Sequence, residues 1–218
     1  MESLKYLLSK IEEVKENDYN DFQGKCKEIA KGLFNNYGVK CGNKLFRFAE
    51  IEFYYYEKGK WQDKWNTATY YRKKEAGELF FHYSGVDICF KSDSENKFGG
   101  ILIRSLVDVN GNHVTLQKGP LVCTNLMLNS CEDKMMPLIS DEVDSLDYND
   151  NMILSDFRFG VDSESQEDEK NKKLQLCFFV NQYKNTELEW SGATETLSWD
   201  KKKGELKISK RYYNRFKK

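Results

Sequence analysis

The segment from Arg47 to Tyr56, with the sequence RFAEIEFYYY, constrains the fold more than any other part of the chain. It is rich in aromatic and β-branched residues and contains neither Gly nor Pro, which predicts a β-strand. Strict alternation along this strand would place two acidic and two aromatic side chains on one face, namely Phe48, Glu50, Glu52 and Tyr54. The opposite face would carry apolar residues, namely Ala49, Ile51 and Phe53.

Two interpretations of this acidic face remain open from the strand alone. An unpaired buried charge is costly. A strand face with two acids is therefore either exposed to solvent, or at least one of the acids has a function. In the first interpretation Glu50 and Glu52 are exposed and pair with nearby Lys side chains. In the second interpretation they belong to a functional site.

The composition is that of a single globular domain. The 218 residues include 14 Phe, 13 Tyr and 4 Trp, and 34 basic residues balance 35 acidic ones. This length is enough to bury one sizeable core, and the profile argues against a disordered or membrane-spanning protein. The N-terminal sequence MESLKYLLSKIEEVKEN lacks the continuous apolar stretch of a signal peptide. We therefore expect a cytoplasmic protein with no membrane partner.

The cysteines and histidines indicate neither a metal site nor a disulfide framework. The six Cys residues are scattered without a C-x-x-C pair: Cys26, Cys41, Cys89, Cys123, Cys131 and Cys177. Most lie beside apolar residues, which favours free thiols in a reducing compartment. Only His82 and His113 are present, so a His-rich metal site is not expected. The sequence predicts no metal and no cofactor.

Charge is balanced overall but distributed unevenly. Residues 141–170 hold eleven acids and two basic residues, whereas residues 201–218 hold nine basic residues and one acid. The overall balance argues against a dedicated nucleic-acid binder, which is usually basic. The acidic stretch is typical of a loop and solvated linker. The basic tail either contacts phosphates or is a solvated end.

Hydrophobic periodicity predicts helices near the N-terminus and strands elsewhere. Helical spacing of apolar residues predicts one helix through Leu4, Leu7, Leu8, Ile11 and Val14, and a second from Phe22 to Phe34 that stops near Gly38. A third helix is expected over 121–128, after Gly119-Pro120. Strands are predicted at 45–56, 79–83, 86–90, 101–107 and 174–180, with shorter ones in 186–209 and a turn at Asn110-Gly111.

This pattern predicts the α+β class, with one curved, antiparallel-rich sheet and N-terminal helices packed against it. We expect a single domain over 1–218. Within it, residues 1–43 form the helical part, residues 44–209 the sheet-rich core and residues 210–218 the basic tail.

Arg104 interrupts the otherwise apolar strand ILIRSL at 101–106. A guanidinium is always charged, so an Arg inside a strand is held by a carboxylate or by an anionic ligand. A partner within the fold, either Glu50 or Glu52, would be the structural explanation. An Arg–Glu site open to a cleft would be the functional one.

The order of these segments resembles the alkyladenine DNA glycosylase family, which excises 3-methyladenine and related damaged purines. The strand AEIEFY at 49–54 is similar to the family's Val-Glu-Thr-Glu-Ala-Tyr, and ILIRSL is similar to its Val-Leu-Ile-Arg-Ala-Leu. Weaker similarities lie in the same order along the chain: IAKGLF at 29–34, GELF at 77–80, GPLVC at 119–123, RFGV at 158–161 and LQLCFFV at 174–180. Their collinearity from about residue 26 to 180 implies that family's fold.

The resemblance also implies chemistry and a partner. Such an enzyme flips a damaged nucleotide out of duplex DNA, grips it between aromatic rings and hydrolyses the N-glycosidic bond. By resemblance, Glu52 is the general base, Arg104 binds the water or the target phosphate, and the backbone carbonyl of Val180 helps to hold the water. Glu50 plays a supporting role or pairs with Arg104. The remaining substrate-binding residues are Tyr54 as one wall, Phe81 or His82 as a second wall, and Tyr83 as the wedge on the hairpin 79–90.

The chain also departs from the family pattern. The loop 57–69 holds no His where the family has one, although Trp61 or Trp65 offers an aromatic ring there. The hairpin is one residue shorter before its Gly, and Lys91 stands where the family has an Asn. Two further hypotheses therefore stay beside the hydrolase. The first is a non-catalytic relative that binds nucleic acid or a nucleobase-like ligand, and the second is a plain interaction domain.

Overall fold

The structure, a computed structural model, describes residues 3–16, 18–63, 74–92, 95–108, 115–131, 135–158, 161, 174–181, 196–200 and 205–209. Several expectations lie outside these residues. They concern Trp65, His113, the turn at Asn110-Gly111, the acidic segment 162–169 and the basic tail 210–218.

The described N-terminal residues form two helices, as predicted. Helix α1 spans Leu4–Ser9 and continues into a 3-10 turn at Lys10–Glu13, and α2 spans Tyr19–Asn36. The Ser3 side chain accepts a hydrogen bond from the Tyr6 amide at the start of α1, and the Asp18 side chain accepts one from the Asp21 amide at the start of α2. These caps satisfy backbone donors that a helix start leaves free.

Gly38 does not end α2 in the way its position suggests. The helix stops at Asn36, Tyr37 is extended, and Gly38 already begins the first strand. A Cβ at Gly38 would lie 2.5 Å from the carbonyl oxygen of Phe46 on the next strand. This position therefore requires Gly because two backbones approach closely. The sheet accordingly starts at residue 38 rather than at residue 44.

The described strands form one large sheet and one separate hairpin. The large sheet contains ten strands, namely β1 (Gly38–Cys41), β2 (Lys44–Glu57), β3 (Trp61–Gln62), β4 (Leu79–His82), β5 (Gly85–Cys89), β6 (Lys97–Asp108), β7 (Thr115–Lys118), β8 (Leu138–Ser140), β9 (Ile153–Asp156) and β10 (Cys177–Val180). Strands β11 (Thr196–Asp200) and β12 (Glu205–Ser209) pair only with each other in a second sheet. Helix α3 spans Pro120–Ser130, with Pro at its first turn as expected.

Strand β2 is the centre of the large sheet. The main path runs β4-β5-β6-β2-β1-β8, β10 also pairs with β2, and every pairing between these strands is antiparallel. The α+β class and the antiparallel-rich sheet are thus confirmed, and the five predicted strands all belong to this sheet. The core lies between this sheet and the helices, where the Phe22 and Trp61 rings stack with their centroids 3.8 Å apart.

Two further features concern the whole described part. All six Cys residues are free thiols, and five of them are buried. Among the described residues, no helix is both long enough and apolar enough to span a bilayer.

Candidate functional site

The candidate site forms where β2 and β6 lose their regular register. Phe48 pairs with Leu106, Glu50 with Ser105 and Ile51 with Ile103, so the ladder shifts twice within three residues of β2. Such β-bulges re-aim side chains and often lie beside functional sites.

The bulge changes which side chains of β2 face the core. Phe46 and Phe48 belong to the core cluster before it, and Ile51, Phe53 and Tyr55 belong to the cluster after it. Strict alternation is therefore wrong for Phe48, which does not share the face of the acids. The prediction holds for the two acids and Tyr54, because both carboxylates lie against Arg104 and the Tyr54 hydroxyl donates to Glu52.

Arg104 binds both carboxylates of this face. Its Nη1 lies 2.8 Å from Oε2 of Glu52, and its Nε lies 3.4 Å from Oε1 of Glu50. The predicted pairing of Arg104 is thus confirmed, with two carboxylates on one guanidinium. Because Glu50 is 1% exposed, Glu52 0% and Arg104 3%, the exposed-strand interpretation is wrong.

Three neighbouring side chains also donate hydrogen bonds to these carboxylates. The Tyr54 hydroxyl donates to Oε2 of Glu52 at 3.1 Å. Ser105 Oγ donates to Oε2 of Glu50 at 3.1 Å, and the Cys177 thiol donates to Oε1 of Glu50 at 3.1 Å. We call this set of six residues the Arg104 cluster. Donors of this kind are what allows a buried carboxylate to remain charged.

Lys118, the last residue of β7, extends the Arg104 cluster. It pairs with Ser105 on β6, which in turn pairs with Glu50 on β2, so the three residues lie side by side across three strands. Lys118 is 2% exposed. Burial lowers the pKa of Lys118 to about 7, although the Glu50 carboxylate acts in the opposite direction. Its amine therefore changes charge near neutral pH.

A second buried ion pair lies beside the cluster. Arg158 binds Asp63 through both terminal nitrogens, with Nη2 3.1 Å from Oδ1, and Nη1 also donates to the Phe53 carbonyl. Burial alone would lower the pKa of Arg158, but the Asp63 carboxylate outweighs that effect and raises it. The Arg158 guanidinium lies over the Tyr54 ring, 4.8 Å from its centroid.

Tyr54 therefore contacts both the Arg104 cluster and the ion pair of Arg158 and Asp63. Its hydroxyl contacts Glu52 while its ring faces Arg158. Burial raises the pKa of Tyr54 well above its usual value, and the Glu52 carboxylate adds to the effect. The hydroxyl thus stays protonated and remains a donor at neutral pH. Tyr54 is only half-buried, whereas Glu52 and Arg104 are buried.

The hairpin of β4 and β5 presents one exposed aromatic side chain at its tip. Tyr83, the predicted wedge, is 61% exposed. His82 Nε2 lies 3.0 Å from Oδ2 of the buried Asp87, and its Nδ1 accepts a hydrogen bond from the Ser84 amide. Asp87 pairs with Leu102, which pairs with Glu52, so Asp87 shares the face of the site about 10 Å away, two strand spacings.

Phe81 is on the wrong face for the predicted second wall. It pairs with Val86 and packs against the core cluster, whereas Phe80 pairs with Asp87 on the face of the site. The Phe80 and His82 rings stack with centroids 5.7 Å apart. Of the two predicted candidates for the second wall, the structure leaves His82 on the face of Glu52.

Val180 lies farther from Glu52 than its predicted role requires. The residue of β10 that pairs with Glu52 is Cys177, and Val180 pairs with Ile153 on β9. Val180 is three residue steps along the strand from Cys177, which is about 10 Å. Sequence reasoning missed Cys177, Ser105 and Lys118, because each is a single residue with no motif spacing that marks it.

The donor atoms of Glu50, Glu52 and Cys177 lie within 4.8 Å of one another, which raises the question of a metal ion. The Arg104 guanidinium already supplies positive charge to both carboxylates. The Cys177 Sγ lies 3.1 Å from Oε1 of Glu50, where it is placed to donate a hydrogen bond. The cation bound to both carboxylates in this structure is thus the chain's own guanidinium.

Comparison with known proteins assigns no family to this chain. No protein-family model matches the sequence, and no curated protein matches it.

Proposed function

We propose that this protein is a divergent hydrolase that cleaves the N-glycosidic bond of a damaged purine after the base flips out of duplex DNA. One observation carries the proposal: Glu52, on the central strand, is held by Arg104 and by Tyr54 on a face that also leads to the hairpin with exposed Tyr83. The resemblance to the alkyladenine DNA glycosylase family names the same residues.

The chemistry follows from the groups in the Arg104 cluster. Breaking the bond between a purine and its sugar develops positive charge on the sugar. A carboxylate beside the sugar stabilises that charge and accepts a proton from the attacking water. In this proposal Glu52 is that carboxylate, and Arg104 holds it in place and attracts the phosphate of the flipped nucleotide.

Substrate reaches Glu52 only if the site opens. Glu52 and Arg104 are buried, and Tyr54 is the half-buried residue in contact with Glu52. The proposal therefore includes displacement of the Tyr54 ring as the damaged base enters and stacks on it. An electron-poor alkylated purine stacks well on such an electron-rich ring.

Glu52→Gln tests this function. Gln keeps the shape of the side chain but cannot accept a proton, so release of the damaged base should fall about 100- to 10,000-fold. The assay measures base release from duplexes that carry alkylated, deaminated or oxidised purines. Glu57→Gln is the matched control, because Glu57 lies on the same strand and contacts Tyr55 and Lys60 outside the cluster. Equal base release by the wild type and Glu52→Gln would contradict the assigned role of Glu52.

A non-catalytic relative of the same fold is the second candidate, and the closed state of the site favours it. A carboxylate at 0% exposure that already accepts from Arg104 and Tyr54 is a stable structural arrangement. In this case the wild type would bind a damaged duplex, with affinity that falls steeply with salt, and would release no base from any of the substrates. The same set of duplexes therefore separates the two candidates.

A further inference from the structure

Two of the cysteines lie at the ends of two elements that pack together. Cys41 is the last residue of β1, and Cys131 directly follows the last residue of α3. Helix α3 packs against β1, Cys41 belongs to the core cluster and Cys131 packs against that cluster. The chain also reaches this edge of the sheet soon after α3, because Leu138 of β8 pairs with Lys40 of β1. The fold thus brings together two cysteines that are distant in the sequence.

The two thiols contact each other. The Cys41 and Cys131 side chains share a hydrogen bond, so their sulfur atoms are neighbours. Other cysteines have oxygen partners: the Cys123 Sγ lies 3.6 Å from the Gln117 carbonyl oxygen, and the Cys177 Sγ lies 3.1 Å from a carboxylate of the Arg104 cluster. Two cysteines whose side chains already point at each other meet the first requirement of a disulfide.

The two thiols differ in exposure, which gives them different roles. Cys131 is half-buried at the end of α3, whereas Cys41 is 0% exposed. Burial raises the pKa of Cys41, the Cys131 thiol adds to this effect, and Lys44 across the turn acts in the opposite direction. A cysteine reacts as its thiolate and needs access to its target. Cys131 is therefore the thiol that meets an oxidant from solution, and Cys41 is the thiol that reacts second.

We propose that Cys41 and Cys131 form a reversible disulfide that joins the end of α3 to the end of β1. The oxidant is a small disulfide such as oxidised glutathione. Cys131 loses its proton to solvent and its sulfur attacks one sulfur of the oxidant, so that a mixed disulfide forms and one glutathione leaves as a thiolate that takes up a proton. Cys41 then loses its proton, its sulfur attacks the Cys131 sulfur, and the second glutathione leaves in the same way. The two cysteines lose two electrons and two protons, and glutathione gains both.

The disulfide fastens the second end of α3 to the sheet. The first end is already held, because the Gly119 amide donates to the Arg104 carbonyl at 2.7 Å. Pro120 also lies so close to Gly85 that a Cβ at Gly85 would be 2.6 Å from the Pro120 Cβ. Between its ends α3 packs on β5 and β6. Oxidation therefore fixes α3 along the sheet that carries the Arg104 cluster, and this inference does not rest on the proposed hydrolysis.

Thiol mapping after oxidation of the folded protein tests the proposal. The full-length protein is incubated with oxidised glutathione, the remaining thiols are alkylated after unfolding, and the peptides are mapped by mass spectrometry with and without reductant. We expect one linked pair, Cys41 with Cys131, and alkylation of the other four of the six cysteines. Oxidation of the unfolded chain in urea should instead spread over several pairs, because the fold no longer holds these two thiols together.

Substitutions separate the roles of the two thiols. Cys131→Ser should form no disulfide and take up no glutathione, whereas Cys41→Ala should stop at the mixed disulfide, with one glutathione on Cys131. Cys123→Ala is the matched control and should keep the link, because Cys123 lies on the same helix with its sulfur against a backbone carbonyl. The map of the wild type decides the proposal even if Cys41→Ala does not fold.

Urea unfolding provides a second readout. A disulfide between residues 41 and 131 closes a loop of about 90 residues and restricts the unfolded chain, so it should raise the urea midpoint by on the order of 1 M. Dithiothreitol should reverse this shift. Six unreacted thiols in the wild type after oxidation, a link mapped to another pair, a glutathione adduct that stays on Cys131 although Cys41 is present, or a lower midpoint on oxidation would overturn the inference.

Discussion

Arg104 and Arg158, two of the buried arginines among the described residues, have very different partners. Arg158 binds one carboxylate, Asp63, through two parallel contacts, so its charge is matched by a single anion. Arg104 is shared by Glu50 and Glu52, which also accept from a phenol, a hydroxyl and a thiol. The second arrangement brings two acidic side chains to one guanidinium, and burial lowers the pKa of Lys118 beside it to about 7. We call Arg158 and Asp63 the matched pair, and we expect proton exchange near neutral pH at Lys118, beside the Arg104 cluster, rather than at this pair.

Removing either arginine should produce the largest loss of stability. Arg104→Met leaves two buried carboxylates without their guanidinium, and Arg158→Met leaves one. Breaking a buried ion pair costs about 3–5 kcal/mol, and we expect Arg104→Met to cost at least as much as Arg158→Met. Urea unfolding followed by circular dichroism measures both.

Replacing the acidic partner as well should distinguish the matched pair from the Arg104 cluster by how much stability is recovered. Replacing both partners of a buried pair by apolar residues is often neutral, so Asp63→Leu should restore most of the stability lost in Arg158→Met. Glu52→Leu should restore less in Arg104→Met, because Glu50 stays buried and Tyr54 loses its acceptor. Equal recovery in the two double variants would show that the Arg104 cluster is a simple ion pair.

The pH dependence of stability should distinguish the two regions next. The pKa of Lys118 is about 7 in the folded protein, below the usual value of 10.5, so the unfolded chain binds more protons between these pH values. The free energy of unfolding should therefore rise with pH above about pH 7, as the buried amine loses its charge. The slope should be at most about 1.4 kcal/mol per pH unit, and it should vanish well below pH 7, where both states are protonated.

Lys118→Met should remove this slope. Urea unfolding from pH 6 to 8.5 should show the wild type gaining about 2 kcal/mol relative to Lys118→Met, since a single proton is released on folding. Restricting the range to pH 8.5 limits the contribution of the Cys26 and Cys123 thiols, whose pKa burial raises. Arg158→Met should leave the slope unchanged, because Asp63 raises the pKa of Arg158. Parallel curves for wild type and Lys118→Met would refute the titration of Lys118.

The sequence predicted the sheet and the carboxylate partners of Arg104, but it did not predict the pairing of Arg158 with Asp63. An always-charged residue within an apolar strand requires an anion, so the partner of Arg104 followed from two strand patterns alone. The bulge was not predictable, because Ala49 and Ser105 carry no signature of an irregular ladder. The pair of Arg158 and Asp63 joins residues 95 positions apart, and no local pattern links them. Lys118 stands in a short strand whose burial depends on the packing of β6 and α3.

Tyr54 connects the two regions, so its variants give the smallest but most specific effect. Tyr54→Phe removes the hydroxyl bond to Glu52 and keeps the ring against Arg158, which should cost about 1 kcal/mol of stability. Tyr54→Leu also removes the ring, and it should cost more because the contact with the guanidinium is lost. If the regions act independently, the stability cost of Tyr54→Phe should be the same in the wild type and in Arg158→Met, whereas it should shrink in Glu52→Gln.

A double-mutant cycle followed by urea unfolding measures these couplings. Coupling of Tyr54→Phe to Arg158 as strong as to Glu52 would mean that the matched pair and the cluster form one network, and the distinction between them would have to be abandoned.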